Sequence, residues 1–266
     1  KILLLLLVAM YSCQSPNGTV TTNDERSEII KTLFKNVSEE NIDYLKEVFS
    51  DDMTFVDARN NTKDKAGFIA GVEGLFEMFD EISFEDVDGD ATGSEIETTV
   101  YDNGIVWTNI WNTFSATGKY TGQKVSFPFH ISYKWEGLKI SREVQFFDNA
   151  VFDKELNQAI NAELTLVRAR MIDIESYEKD TATPDKIGSL NKKEFVSLLK
   201  KYKKFKVSRN LIDFADILEL CIGMIEDNQT IADEFHSKYE HFLVDEYQDN
   251  DPVQERLLQA WLGNRN

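Results

Sequence analysis

Two adjacent carboxylates, Asp245 and Glu246, follow the apolar run Phe242-Leu243-Val244, and an amphipathic pattern begins near Pro252. An acid pair at the end of a buried strand stands where open α/β sheets bind ligands, beyond the carboxyl ends of their strands. The competing reading is that the pair caps the helix starting near Pro252, where negative charge is stabilised. A second set of candidates lies upstream. Asp57 ends the short predicted strand "DMTFVDA". A carboxylate at an apolar pocket mouth gains a raised pKa and acts as a base; one that only closes a turn does not. Arg142 interrupts the row Ile140, Val144, Phe146. It either points inward toward an anionic ligand or snorkels to water at an edge. Trp107 and Trp111 either line the same pocket or pack in the core. Neither a nucleophile elbow nor metal-ligand spacing is present.

The elements that must position these residues fall into two styles. In "ERSEIIKTLFKNVSEENIDYLKEVF" the apolar residues Ile29, Ile30, Leu33, Phe34, Val37 and then Ile42, Leu45, Val48, Phe49 have helical spacing, and "SEEN" divides them into two helices. A third helix is predicted over "KDKAGFIAGVEGLFEMF". From Ile82 the pattern turns to strands: "EIETTVY", "GIVWTNIWNTFSA", "QKVSFPFHISYKW" and "LKISREVQFFD", separated by the turns "DNG", "ATGKYTG" and "EGL". The third of these strands alternates. Val125, Phe127, Phe129, Ile131, Tyr133 and Trp135 share one face, and His130 falls on the polar one. Pro128 predicts an edge or a bulge. After about Ile160 the chain reads as helices: "NAELTLVRARMIDIESYEKD", the basic amphipathic "LNKKEFVSLLKKYKKFKVSRN", "LIDFADILELCIGMIEDN" with Asp213 near its start, and "QTIADEFHSKYE". "HFLVDEY" reads as a buried strand.

The order helix, helix, strand, helix, then a long antiparallel meander resembles the NTF2-like (SnoaL-like, ketosteroid-isomerase-like) cone, an α+β fold of helices on a curved antiparallel sheet. The resemblance covers residues 25–157 and implies an apolar pocket. It implies a small apolar ligand or a self-dimer as partner and no cofactor, with isomerase or hydratase chemistry as the alternative. Asp57 stands where isomerase-type members place a base.

Residues 158–266 resemble part of a UvrD/PcrA/Rep-type superfamily 1A DNA helicase, a mostly helical fragment of a P-loop-type α/β domain. "LIDFADIL" looks like the family's "LIDFDDLL", and "VDEYQDNDPVQ" like its motif II, "VDEYQDTNPLQ". The resemblance implies that Asp245 holds Mg²⁺ through water and that Glu246 polarises the attacking water. It also implies that Gln248 and Asp249 link the nucleotide site to the DNA side. Mg²⁺, ATP and DNA are then the cofactors and partner of the parent, an ATP-dependent 3′–5′ DNA helicase. The family's phosphate-cradling GxxxxGK(S/T) pattern is absent from the 266 residues. Gly118-Lys119, the only Gly–Lys pair, falls in a meander turn. The segment is therefore expected to be inactive by itself and poorly packed, with strand 242–247 stranded or paired opportunistically.

Bulk numbers bound these readings. The chain is 42% hydrophobic and 12% aromatic, which argues against wholesale disorder. Its 29 basic and 47 acidic residues give a net charge of −18, so charge alone does not suggest a nucleic-acid surface. The two cysteines, Cys13 and Cys221, make no disulfide framework, and Cys221 is expected to be a buried thiol. Residues 1–13, "KILLLLLVAMYSC", read as an export signal too short to span a membrane. "VAMYSC" resembles a lipobox, implying a lipidated Cys13 and a membrane anchor at the cell envelope. Residues 14–24 read as a tether. A lipoprotein signal and a cytoplasmic motor motif belong in different compartments. The expectation is a composite chain, an exported NTF2-like domain joined to an incomplete helicase segment.

Overall fold

The computed structural model describes residues 17–85 and 96–263. Cys13 and the predicted signal lie outside them. The chain divides into two compact units, Lys1–Glu155 and Leu156–Asn266.

In the first unit, α1 (Glu25–Ser38) starts where the Asp24 side chain accepts from the Arg26 N–H, and it buries Ile30, Leu33, Phe34 and Val37. That spacing lays one apolar stripe along the helix. α2 (Ile42–Val48) leads directly into β2 (Phe49–Val56), and the short β3 (Thr62–Lys63) turns back beside it. α3 (Lys65–Met78) is capped by Asp64, which accepts from the Gly67 N–H. β4 (Phe79–Phe84), β5 (Ile96–Tyr101), β6 (Val106–Gly118), β7 (Lys124–Glu136) and β8 (Lys139–Phe146) follow. With β1 (Gly18–Thr21) they form one sheet in the order β1-β5-β6-β7-β8-β2-β3, and β4 also pairs with β6. All pairings are antiparallel except β2 with β8.

Register shifts in the β2–β8, β4–β6 and β7–β8 pairs bend the sheet around α1 and α3. The result is the helix-filled cone that the element order predicts. One face of β7 is buried as its alternation requires, with Phe129, Ile131, Tyr133 and Trp135 all inside. Phe34, Phe84 and Phe129 stack together beneath α1, with ring centroids 4.7–5.8 Å apart. Pro128 sits past His130, the last β7 residue paired with β8, so it has a ladder neighbour on one side only. Gly137 opens the two-residue β7–β8 turn with φ +61°, the conformation such hairpins need at that position. Residues 18–21, inside the predicted tether, pair with β5 as β1. Their β-branched Thr19, Val20 and Thr21 suit a strand better than a flexible spacer.

The second unit is helical. α4 (Ala150–Ala169) begins within the first unit, where Phe152 packs on Phe79 and Phe114. α5 (Ile174–Lys179) follows, and β9 (Lys186–Ile187) pairs with β10 (Leu190–Asn191). Next come α6 (Lys192–Arg209), α7 (Phe214–Glu226), α8 (Gln229–Lys238) and α9 (Pro252–Leu262). Contrary to the expectation of poor packing, the unit has two small cores. One joins Ala159, Val167, Tyr177, Ile187, Phe195, Val196 and Leu199; the other joins Ile222, Val253 and Leu257, with the half-buried Cys221 against it.

The predicted strand over 242–247 does not form. Residues 240–246 are irregular, Leu243 is fully exposed, and Val244 is 42% exposed. A parallel strand needs neighbours on its hydrogen-bonding edges, and none of the described strands pairs with this run. The apolar face of α7 is also left open, with Phe214 91% exposed and Ile217, Leu220 and Met224 uncovered beside it.

Candidate functional site

The acid pair lies on the loop between α8 and α9. Asp245, Glu246, Gln248 and Asp249 are all exposed. The loop is organised locally: the Glu246 N–H donates to Asp245 Oδ1 at 3.0 Å, and Gln248 Nε2 donates to Glu246 Oε2. Tyr247–Asp249 form a single 3-10 turn entered through Glu246 at φ +49°. Neither acid caps the following helix. Asp251 does so, accepting from the Gln254 N–H at 2.8 Å, while the Gln254 side chain accepts from the Asp251 N–H.

Among the described residues, no three His, Cys, Asp or Glu side chains converge as metal ligands. Asp245 and Glu246 therefore bring two charges to a place where nothing else joins them on a cation. The donor set does not fit a bound Mg²⁺·triphosphate, which needs a hydroxyl ligand, a lysine and backbone N–H groups around the phosphates.

The upstream candidates are rearranged by strand register. Asp57 is not a base at a pocket mouth. It accepts from the backbone N–H groups of Arg59 and Asn61 and from the Asn61 side chain, and it closes the β2–β3 turn. Burial pulls its pKa upward, but those hydrogen bonds and the Lys63 charge outweigh burial and hold it below the usual carboxylate value. Trp107 and Trp111 do not line the interior. Along β6 the buried positions are Val106, Thr108, Ile110, Asn112 and Phe114, so both tryptophans face the other side of the sheet. There Trp111 stacks on His130 at 4.6 Å, and His130 stacks on Phe146 at 5.4 Å. His130 also bonds to the Ile110 carbonyl through Nδ1, as a residue on the polar face can.

Arg142 is exposed as well, and the residue beside it takes the interior position. Opposite β7, Trp135 faces Ile140 and Lys134 faces Arg142, so Ser141 is an extra residue in β8. A bulge of this kind exchanges the two faces of a strand beyond it. Glu143, not Arg142, therefore points inward. It is 2% exposed, directly opposite Tyr133 on one side and Phe55 on the other. Among the described residues its hydrogen bond comes from Gln145 Nε2, at 2.7 Å to Oε1. Burial pushes the carboxyl up to about 8, against the smaller opposing effect of the Gln145 hydrogen bond. It is thus a neutral acid at pH 7, able to donate a hydrogen bond or a proton. Nearby on the interior, Ser27, Thr98, Thr108 and the Trp135 indole form a buried hydrogen-bonded chain with links of 2.7–3.1 Å. Sequence reasoning missed Glu143 because a strict two-residue period hides a bulge. The adjacent polar pair Arg142-Glu143 in an apolar strand was the available signal.

In the second unit, Asp213 caps α7 and joins a dense charged cluster. It accepts from Arg168 at 2.6 Å, Tyr202 at 2.8 Å and Lys206 at 3.0 Å. Lys206 also reaches Asp216 at 2.6 Å. The Arg168 hydrogen bond, with those from Lys206 and Tyr202, outweighs burial and holds Asp213 far below the usual carboxylate range. Three helices, α4, α6 and α7, are tied here by one carboxylate, which explains why the acid stands in "LIDF".

The family model for the UvrD/REP helicase N-terminal domain matches residues 15–266. ATP-dependent DNA helicase UvrD2 of Mycobacterium tuberculosis is 34% identical over 106 residues, covering 39% of this chain and 15% of that protein. An ATP-dependent helicase/nuclease from Streptococcus mutans is 39% identical over 67 residues, covering 25% of this chain and 6% of that protein. The chain thus spans a small part of the curated relatives it matches. Among solved structures, an NTF2-like protein from Burkholderia pseudomallei K96243 is 10% identical and covers 50% of this chain and 97% of its own, with a TM-score of 0.38.

Proposed function

The chain belongs to the UvrD/REP helicase N-terminal domain family, and from that premise we propose a composite protein. Its second unit carries the motif II segment of an ATP-dependent DNA helicase and does not turn over ATP by itself. Its first unit binds a small apolar ligand inside the cone. The observation that carries the first statement is the placement of Asp245 and Glu246 on an exposed loop, with Glu246 engaged by Gln248. Phosphoryl transfer draws its acceleration from positioning and charge stabilisation around the triphosphate. An acid pair held apart from a phosphate cradle supplies neither.

ATP hydrolysis by the purified chain, with and without DNA, tests this reading. The expected result is no turnover and no change in Glu246→Gln. DNA-stimulated hydrolysis that disappears in Glu246→Gln overturns it. That result would favour the second reading, a working ATP-dependent 3′–5′ helicase segment completed by other polypeptide; the curated relatives' names support its ATP-dependent helicase part.

For the first unit, the interior Glu143 supports ligand binding, and isomerase or hydratase chemistry is its stronger form. A protonated carboxyl among Phe55, Tyr133 and other apolar groups can donate to a ligand carbonyl or hydroxyl. A self-dimer through the sheet face bearing Trp111 and Phe146 is the protein partner we propose. Export is read from Lys1 and the apolar run of residues 2–10, and lipidation at Cys13 from "VAMYSC". Cys13→Ser is expected to abolish palmitate labelling, and persistent labelling contradicts the anchor. Export of one unit and an intracellular parent for the other imply a join of two genes near residues 150–170. Long reads of native DNA across those codons test it, and a single intact frame defeats it.

A further inference from the structure

The outer face of the first unit's sheet holds a histidine between two exposed rings. Trp111 of β6, His130 of β7 and Phe146 of β8 are direct cross-strand neighbours. Their rings stack at 4.6 and 5.4 Å, each pair inclined by 22°. Trp111 is 44% and Phe146 55% exposed, while His130 is half-buried between them.

The edge of the imidazole meets two acceptors. Nδ1 lies 3.0 Å from the Ile110 carbonyl, which can only accept. Nε2 lies 3.2 Å from Ser132 Oγ, and that hydroxyl gives its one proton to Asn109 Oδ1 at 2.7 Å. Both ring nitrogens therefore donate only in the imidazolium, whose charge also rests between two ring faces. In the neutral ring Nδ1 keeps its proton against the carbonyl. The Ser132 hydroxyl then turns to Nε2 and releases Asn109 Oδ1. One proton thus changes both the charge of the face and the acceptors it offers.

We propose that His130 gates self-association through this face by pH, with two copies pairing around the neutral ring and separating when it takes up a proton. The inference rests on the self-dimer reading above and adds its regulation. The face is complementary to itself. Its charged groups are Lys124 and Lys134 of β7 and Arg142 of β8, with Glu97 of β5 and Glu81 of β4 across the sheet; β6 adds none. A twofold axis along the strands between β6 and β7 lays β5 of one copy over β8 of the other, and so Glu97 toward Arg142. The same axis brings two His130 rings onto one interface, at a sheet spacing of about 10 Å. Two imidazolium charges there lose water and repel each other and the lysines, which works against pairing. Histidine changes charge between about pH 5 and 8, so the acid end favours separate chains.

The test is sedimentation velocity of the full chain at about pH 8 and about pH 5.5, at equal ionic strength. The expected result is a dimer at the higher pH whose dissociation constant rises at least about tenfold at the lower. Glu143 favours the folded first unit at the acid end of this window, so the loss does not report unfolding. His130→Phe keeps a ring between Trp111 and Phe146 without a proton site, and it is expected to pair equally at both values. Trp111→Ala is expected to weaken pairing at the higher pH by at least about tenfold. A parent chain that pairs equally at both values overturns the proposal and leaves the self-dimer standing, as does His130→Phe with the parent's pH response. A chain that is monomeric at both, or whose pairing survives Trp111→Ala unchanged, overturns the two together.

Discussion

The first unit buries a large apolar core and leaves Trp111 and Phe146 exposed on the outer face of its sheet, whereas the second has only small cores and leaves a whole helix face open. Around the cone, helices cover one face of an eight-stranded sheet, and Ile30, Leu45, Phe49, Phe79, Ile96, Ile110 and Ile140 reach 0–1% exposure. In the second unit two small cores hold the helices, while Phe214, Ile217, Leu220, Met224 and Leu243 stay in water. The difference lies in what each unit has to pack against. A strand and an amphipathic helix both require a partner surface. The first unit contains its partners, whereas Leu243, Val244 and the outer face of α7 stay exposed, and only Phe242 of that run finds rings to stack on, those of Phe235 and Trp261.

The largest expected effect separates the two kinds of apolar residue. Phe79→Ala empties a site packed by Phe114 and Phe152, and it should destabilise the first unit by about 3–5 kcal/mol in denaturant unfolding. Leu243→Ala, at a fully exposed position, should change the second unit within about 0.5 kcal/mol. A large loss at Leu243 would show that the segment packs after all.

Next come the opposite pH responses of the two units. Asp213 is held below its ordinary value of 3.8, so its contribution to the second unit is present above that value and is lost as pH falls below it. Asp213→Ala removes a helix cap and the partner of Arg168 and Lys206. It should cost about 2–4 kcal/mol and blunt the acid transition, read by circular dichroism. Glu143 behaves in the reverse sense. Folded, it keeps a proton up to about 8, whereas its ordinary value is 4.5. Between those values the native state binds more protons than the unfolded one, so the first unit loses stability as pH rises from about 4.5 to about 8. Glu143→Gln should remove that decline and raise the melting temperature at pH 8 relative to the parent. An unchanged pH profile would place the carboxyl in contact with water. The smallest effect is expected from Trp111→Ala, which removes an exposed stack and should shift monomer stability by under about 1 kcal/mol while weakening any self-association.

The sequence carried the cone well where periodicity is strict. The inward row of β7, the stripe of α1 and the "EGL" turn need only local alternation, spacing and a glycine. It misled where one residue changes a register. Ser141 bulges, so the inward position falls to Glu143 and Arg142 reaches water, the other of its two readings. Trp107 and Trp111 read as pocket candidates because size drew more notice than their odd places beside Thr108 and Ile110. For residues 242–247, an apolar run is a demand for strand neighbours and does not supply them. The acid pair was legible as a motif, but its exposure on a loop follows from strand pairing that a local motif does not specify.

The measurement that bears most directly on the account is titration of the purified chain with Mg·ATP by calorimetry. Exposed Asp245 and Glu246, with no cluster of metal-ligating side chains around them among the described residues, predict no saturable binding below the millimolar range. Micromolar binding that Asp245→Asn abolishes would contradict the account and make the loop part of a formed nucleotide site.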